Sequence, residues 1–349
     1  ATDVLTPETV SVDVTTQFEA SLRAKPVSAG KYVFFATKRG KWSGMREYFV
    51  EPDNETNDAA DITSHIPSFI EGEVRSLTAS SNEDSLLVLT EDQPNNIFIY
   101  RYYWSGNEKL QSSWSVWEMG GRVLSCDFNL SEIIMLIQRS DGVYLERLNL
   151  STDRAELDTE FTSTDGDKIK FGINLDRRVT LRATPAVGEF TTMPYTIPPD
   201  LIYVNKRGRI IKEVSVAGEL ANGDPVFAGL PYMFEYVFSE QVIKEENEPI
   251  TIGRVQLRNF NLVYNDTGFF ETRVTPQKRS TSVSTFGGRI VGGFSNVVGY
   301  ASIASGTFRF PVLSRSDQVE IKIQSDSFLP CVFQSAEWEG FYTLRSRRL

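Results

Sequence analysis

Apolar residues recur with a period of two along most of the chain, and the 3.6 period of an amphipathic helix is nowhere sustained. Residues 31–37 (KYVFFAT), 46–51 (REYFVE), 85–90 (SLLVLT), 97–104 (IFIYRYYW), 132–138 (EIIMLIQ) and 143–150 (VYLERLNL) are rich in β-branched and aromatic side chains. Turn residues bound each run, which predicts strands. Asp141-Gly142 falls between two of these runs and predicts a tight hairpin. The best helix candidate is residues 58–66, ended by Pro67. The pattern as a whole predicts an all-β protein.

Two stretches repeat each other weakly. VRSLTASSNEDSLLVLTEDQPNNIFIYRYYW starts at Val74, and RVLSCDFNLSEIIMLIQRSDGVYLERLNL starts at Arg122. Each gives strand, polar turn, apolar strand, turn and amphipathic strand. A spacing of about 48 residues suits one β-propeller blade. The hairpin at 31–50 fits an earlier blade. Two or three blades cannot close a ring. Residues 1–155 are therefore expected to form an incomplete propeller-like meander, with its remaining blades upstream of residue 1; unrelated hairpins are the alternative. The chain starts without Met in a β-rich segment and is expected to be a fragment of a longer product.

Residues 151–168 are polar and turn-rich, a predicted boundary. Residues 156–349 are expected to form a sandwich-like or platform-like β domain with an insert around 184–230. The insert holds a Pro-rich stretch (184–200), the basic tract NKRGR (205–209) and the turn Asn222-Gly223. An acidic loop (240–249) and a Gly-rich run (286–306) follow.

Composition narrows the function. With 46 acidic against 36 basic residues, the net charge is −10. Tight, sequence-independent DNA binding needs clustered Lys and Arg, so this balance argues against it. It suits a wall past which DNA slides, and equally a protein kept soluble by acidity. Cys126 and Cys331 are the only cysteines and are expected to be thiols, as in a protein made in a reducing cytosol. No apolar run approaches the roughly 20 residues of a membrane span, and the first residues lack a secretory signal.

Candidate chemistry is sparse. Asp266-Thr267-Gly268 matches an aspartic-protease triplet, but that chemistry needs two such loops, and the triplet also fits a hairpin turn. The Gly-rich run lacks GxxxxGK[ST]. His65, the one histidine, is expected to be a hydrogen-bonding residue of the DITSHIP turn. Trp104, Trp114, Trp117, Tyr102 and Tyr103 are expected in the core rather than on a glycan-binding face. No catalytic, cofactor or metal site is expected. The candidate partner-contact residues are Lys206, Arg207 and Arg209 of the basic tract, and Tyr195.

Seven short blocks occur in order: VTTQF (14–18), DITSHIPSFI (61–70), QSSWSVWEMG (111–120), YMFEYVFS (232–239), IGRVQLRNFNLVYNDTG (252–268), GTFRFPV (306–312) and WEGFY (338–342). Together they resemble the C-terminal half of the tail tubular protein B family, which forms the nozzle at the tail tip of short-tailed bacteriophages. The resemblance implies a structural virion protein made in the host cytoplasm, without stable membrane insertion. It implies a homohexameric ring in the full-length protein, docking to the tail tubular A or gatekeeper ring, attachment of tail fibres nearby, and a lumen through which genomic DNA passes. A tail-associated polysaccharide depolymerase, or a glycan- or receptor-binding module, is the alternative.

Overall fold

The computed structural model describes residues 18–21, 23–50, 57–106, 108–150, 172–184, 189–190, 193–211, 220, 222–245, 248–250, 253–289 and 299–344. All of the expected boundary at 151–168 and much of the Gly-rich run lie outside the described residues. Among those described, the protein is all-β, with antiparallel sheets and a single 3-10 turn at Ser316–Gln318. The chain divides into two compact units, Ala1–Thr152 and Asp153–Leu349.

The first unit is a stack of three sheets. The first sheet runs β1 (Val27–Ala29), β2 (Tyr32–Arg39), β3 (Trp42–Val50) and β4 (Asn57–Asp61), with β5 (Ile70–Glu71) also paired to β3. The second runs β6 (Val74–Ser80), β7 (Ser85–Thr90), β8 (Asn96–Ser105) and β9 (Glu108–Glu118). The third runs β10 (Arg122–Asn129), β11 (Glu132–Arg139) and β12 (Gly142–Asn149). Apart from β5, every strand pairs with its sequence neighbour. The two repeated stretches thus become β6–β8 and β10–β12.

Both faces of the second sheet are buried, which explains why residues 86–89 (LLVL) are an unbroken apolar run. Leu86 and Val88 of β7, with Phe98 and Tyr100 of β8, meet Phe34 and Met45 of the first sheet. Leu87, Leu89, Ile97 and Ile99 meet Val123, Ile133, Met135 and Ile137 of the third. The first strands adjoin across the stack, β1 beside β6 and β6 beside β10. Arg75 of β6 donates to the carbonyls of Val123 and Leu124, and Thr78 Oγ1 to the carbonyl of Cys126 at 3.0 Å.

Residues 58–66 are not helical. Asn57–Asp61 pairs with β3, and the chain then turns. The Asp61 carboxylate accepts the Thr63 N–H at 2.9 Å and its hydroxyl at 2.8 Å, and Thr63 Oγ1 accepts the Met45 N–H at 3.1 Å. An Asp two residues before a Thr offers the backbone a local turn that competes with a helix. His65 is exposed in this turn, so its expected structural role passes to Asp61 and Thr63.

The second unit holds a small sheet and a sandwich. The small sheet is built from β13 (Asp176–Thr184), β14 (Glu189–Phe190), β15 (Ile202–Asn205), β16 (Ile210–Ile211) and β17 (Pro225–Leu230), in the order β14-β13-β17-β15-β16. A two-stranded ribbon, β19 (Lys244–Glu245) and β20 (Glu248–Pro249), stands apart. In the sandwich, one sheet is β18 (Phe234–Val237), β25 (Val319–Ser325), β22 (Phe270–Pro276) and β23 (Ser282–Phe286) in that order. The other is β24 (Ala304–Arg315), β21 (Gly253–Thr267) and β26 (Val332–Leu344). Inward residues at alternate positions of both sheets form one core, including Leu257, Phe260, Leu262, Phe270, Phe310 and Ile321. The Asp266-Thr267-Gly268 triplet joins β21 of one sheet to β22 of the other. It is a crossover, not a hairpin. Thr267 Oγ1 fixes it by accepting the Val332 N–H at 3.0 Å.

Candidate partner-contact site

The basic tract is the turn between β15 and β16, and Asn205 organises it. Asn205 is 1% exposed, and its Oδ1 accepts the N–H groups of Arg207 and Arg209, both at 3.0 Å. Its own N–H donates to the Arg209 carbonyl at 2.9 Å, and the Gly208 N–H donates back to the Asn205 carbonyl at 2.9 Å. Gly208 has φ +70°, a left-handed conformation glycine adopts without Cβ strain. The sequence N-x-x-G therefore encodes a rigid, closed turn.

The three cations of this turn have different fates. The Lys206 ammonium lies 3.3 Å from Asp224 Oδ1, with side chains 10% and 1% exposed. Its charge is matched inside the fold. The Arg207 guanidinium stands 5.4 Å from the Tyr300 ring centre, while its carbonyl accepts the Ala301 N–H at 2.9 Å. Arg209 and the following Ile210 are exposed. Tyr195 belongs to another contact. It is buried, its hydroxyl donates to the Arg177 carbonyl at 2.8 Å, and the Arg177 guanidinium lies 4.0 Å from its ring centre. Arg177 sits in a bulge of β13 with φ 51°. The tract thus gathers Lys206, Arg207 and Arg209 on one hairpin, while Tyr195 is packed against β13. Asp224 was missed by sequence reasoning. It directly follows the Asn222-Gly223 turn and precedes the buried strand β17, but no local signal marks it as the partner of Lys206.

The other candidate groups are structural. Trp104 and Trp114 pack on the core between the first and second sheets, to which Tyr102 belongs. Trp117 packs on the core between the second and third. Tyr103 departs from expectation and is 54% exposed. Cys126 and Cys331 are free thiols in different units. Among the described residues no three or more His, Cys, Asp or Glu side chains gather as a metal site, and no helix is long and apolar enough to cross a membrane.

Stacked meanders and an aromatic sandwich define an all-β protein of antiparallel sheets. Comparison with known proteins makes this specific. The bacteriophage nozzle protein family matches residues 1–349, and the chain belongs to that family. It is a structural component of a bacteriophage tail. It is 27% identical over 376 aligned residues to tail tubular protein gp12 of Escherichia phage T7, an alignment covering 99% of this chain and 46% of that protein. The chain therefore spans about half the length of this curated relative. Among solved structures, exo-β-1,3-galactanase from Phanerochaete chrysosporium aligns over 88% of this chain and 78% of its own, at 8% identity and a TM-score of 0.19. A second form of that enzyme aligns over the same shares at 7% identity and a TM-score of 0.20. Likenesses this weak assign neither fold nor activity.

Proposed function

We propose that this chain is part of a nozzle subunit that assembles as a sixfold ring, docks to a tail tubular A or gatekeeper ring, contributes to tail-fibre attachment, and borders the conduit for the ejected genome. The match to the nozzle family along the whole chain carries this reading. The role is structural, without turnover. Residues 1–155, as stacked propeller-like sheets, and 156–349, as the sandwich with its insert, form the chain's two domains, a reading supported by the division into compact units at Thr152 and Asp153. Electron microscopy of the full-length protein, alone and with its tail partner, is expected to show a sixfold ring that caps the partner. Monomers under both conditions would overturn the proposal.

The basic hairpin supports a docking role more narrowly than its sequence suggests. Arg209 and Ile210 are exposed on this turn, and we read them as the portion presented to a partner. Arg209→Glu is expected to weaken docking without unfolding the chain, whereas Lys206→Ala is expected to lower stability first. Duplex DNA should bind weakly, because a net charge of −10 does not provide the many phosphate contacts tight binding requires. A titration with labelled duplex at near-physiological salt checks this, and submicromolar affinity would contradict it.

A further inference from the structure

Two buried interfaces hold the first unit together, and their polar ties differ in kind. Between the second and third sheets, Arg75 and Thr78 donate to the carbonyls of Val123, Leu124 and Cys126. A guanidinium and a hydroxyl keep their charge states through an acid titration, so these ties do not titrate. Between the first and second sheets Trp114 Nε1 of β9 donates to the Ile62 carbonyl at 2.9 Å, and the tie that carries charge is a buried ion pair. Glu47 stands on β3 opposite Phe34 and Ala60, and its side chain is 2% exposed. Its Oε2 accepts from Lys109 Nζ of β9. The same Nζ donates to the Tyr100 hydroxyl at 3.1 Å and lies 4.9 Å from the Trp104 ring centre. Among the described residues, Glu47 Oε1 has no hydrogen-bond partner.

A carboxylate this buried, resting on one lysine, is compensated only while both groups are charged; neutralising one leaves the other buried without a counter-ion. We propose that Glu47 and Lys109 form an acid-released latch between the first and second sheets. A proton taken up from solvent by Glu47 removes its attraction for Lys109 and strands the ammonium beside Tyr100 and Trp104. The first sheet then opens from the second, while the second and third remain closed. The groups facing the pair leave Glu47 as the group that switches. Tyr100 and Tyr102 of β8 carry phenols, and Lys31, 5.5 Å from the Trp104 ring centre, an ammonium; neither group type gains a proton in acid. Asp84, the carboxylate next to Tyr102, lies in the β6–β7 turn of the second sheet and bridges no interface.

Hydrogen exchange read by mass spectrometry on the 349-residue chain tests the latch. Between neutral pH and about pH 4.5, after correction for intrinsic exchange, amides of β2 and β3 are expected to lose about tenfold more protection than those of β10 and β11. Glu47→Gln, which imitates the protonated acid, should show that gap already at neutral pH. Should that variant fail to fold, Glu47→Leu with Lys109→Met replaces the pair by apolar groups and should fold with first-sheet protection independent of pH. The latch is overturned if all three sheets lose protection in step. It is equally overturned if Glu47→Gln keeps full first-sheet protection at neutral pH, or if the Leu/Met variant still opens in acid.

Discussion

The two units solve the same burial problem by opposite routes. In the first, nearly every strand pairs with the strand before or after it, and sheets stack in chain order. In the sandwich of the second, β18 pairs with β25, and β21 lies between β24 and β26. Its core joins segments from residue 255 to beyond residue 320. Local pairing needs only short loop closures, whereas the sandwich must close long loops before its contacts reward it. The first unit can thus be assembled sheet by sheet. The sandwich depends on a few side chains that touch several distant strands at once.

Phe270 is such a side chain, and it gives the sharpest test of the comparison. It is fully buried, with ring centres of Phe286, Phe308, Phe333 and Tyr264 at 5.0, 5.2, 5.1 and 6.0 Å. These partners come from β23, β24, β26 and β21. Phe270→Ala is expected to cost the second unit about 3–5 kcal/mol. Hydrogen exchange along a denaturant series should show β21–β26 opening early while β6–β8 keep their protection. Equal loss in both units would show that the two do not unfold separately.

The corresponding tie in the first unit is polar. The Arg75 guanidinium donates to the carbonyls of Thr90, Val123 and Leu124, so one side chain fastens the second sheet to the third. Arg75→Met keeps the stem and removes the donors, at an expected cost of about 1–3 kcal/mol. The loss should appear in β10–β12 and leave the sandwich unchanged. The smaller expectation follows from the architecture, because Leu87, Ile97, Val123 and Ile133 still pack across that interface.

This difference in locality also governs how much was legible in the sequence. The strands at 85–90, 97–104 and 132–138, and the hairpin at Asp141-Gly142, were readable because period-two patterning and turn chemistry act over a few residues. The all-β class followed from the same signals. The Asp266-Thr267-Gly268 crossover was not readable as such, since a strand leaving for another sheet uses the same turn residues as a hairpin. The strand at Asn57–Asp61 was missed because NDAAD has neither β-branched nor aromatic residues; it is a strand because β3 offers it an edge. The basic tract was found as composition. That Asp224 matches Lys206 depends on β15 and β17 being neighbours, which nothing local encodes.

The two thiols compare the units through one chemistry. Burial raises Cys126 in the first unit and Cys331 in the second, each to about 12. An acid whose folded pKa is raised contributes stability in full below its unfolded pKa. That contribution is lost as pH rises from about 8.5 through the folded values. Between those limits each thiol should lower its unit's stability by about 1.4 kcal/mol per pH unit. Alkylation at about pH 8 should be slow at both sites in the folded chain, since the thiolate is the nucleophile. Rapid labelling of Cys331 without unfolding would show that its surroundings open on their own. Replacing either cysteine by Ala should lessen the alkaline loss in its own unit alone, since the raised phenols of Tyr102 in the first unit and Tyr232 and Tyr264 in the second still contribute.

The smallest effect is expected at two strained leucines, one in each unit. Leu130, in the turn between β10 and β11, has φ 55° and is 78% exposed. Leu313, in β24, has φ 49° and is 60% exposed. Other turns of the first unit place Gly30, Gly40 and Gly106 at φ values of 61°, 63° and 62°. A leucine in this region sets its Cβ against its own backbone, while asparagine tolerates the conformation. Leu130→Asn should therefore stabilise the first unit by up to about 1 kcal/mol, because relief of strain outweighs the loss of a side chain mostly in water. Leu313→Asn should gain less. The Leu313 carbonyl accepts from Arg279 at 3.3 Å, which ties the bulge whatever side chain it carries. Thermal unfolding of both variants separates the outcomes. If Leu130→Asn lowered the transition temperature, the leucine would be making contacts that its exposure denies, and the turn would have to be treated as part of the packed stack rather than its free end.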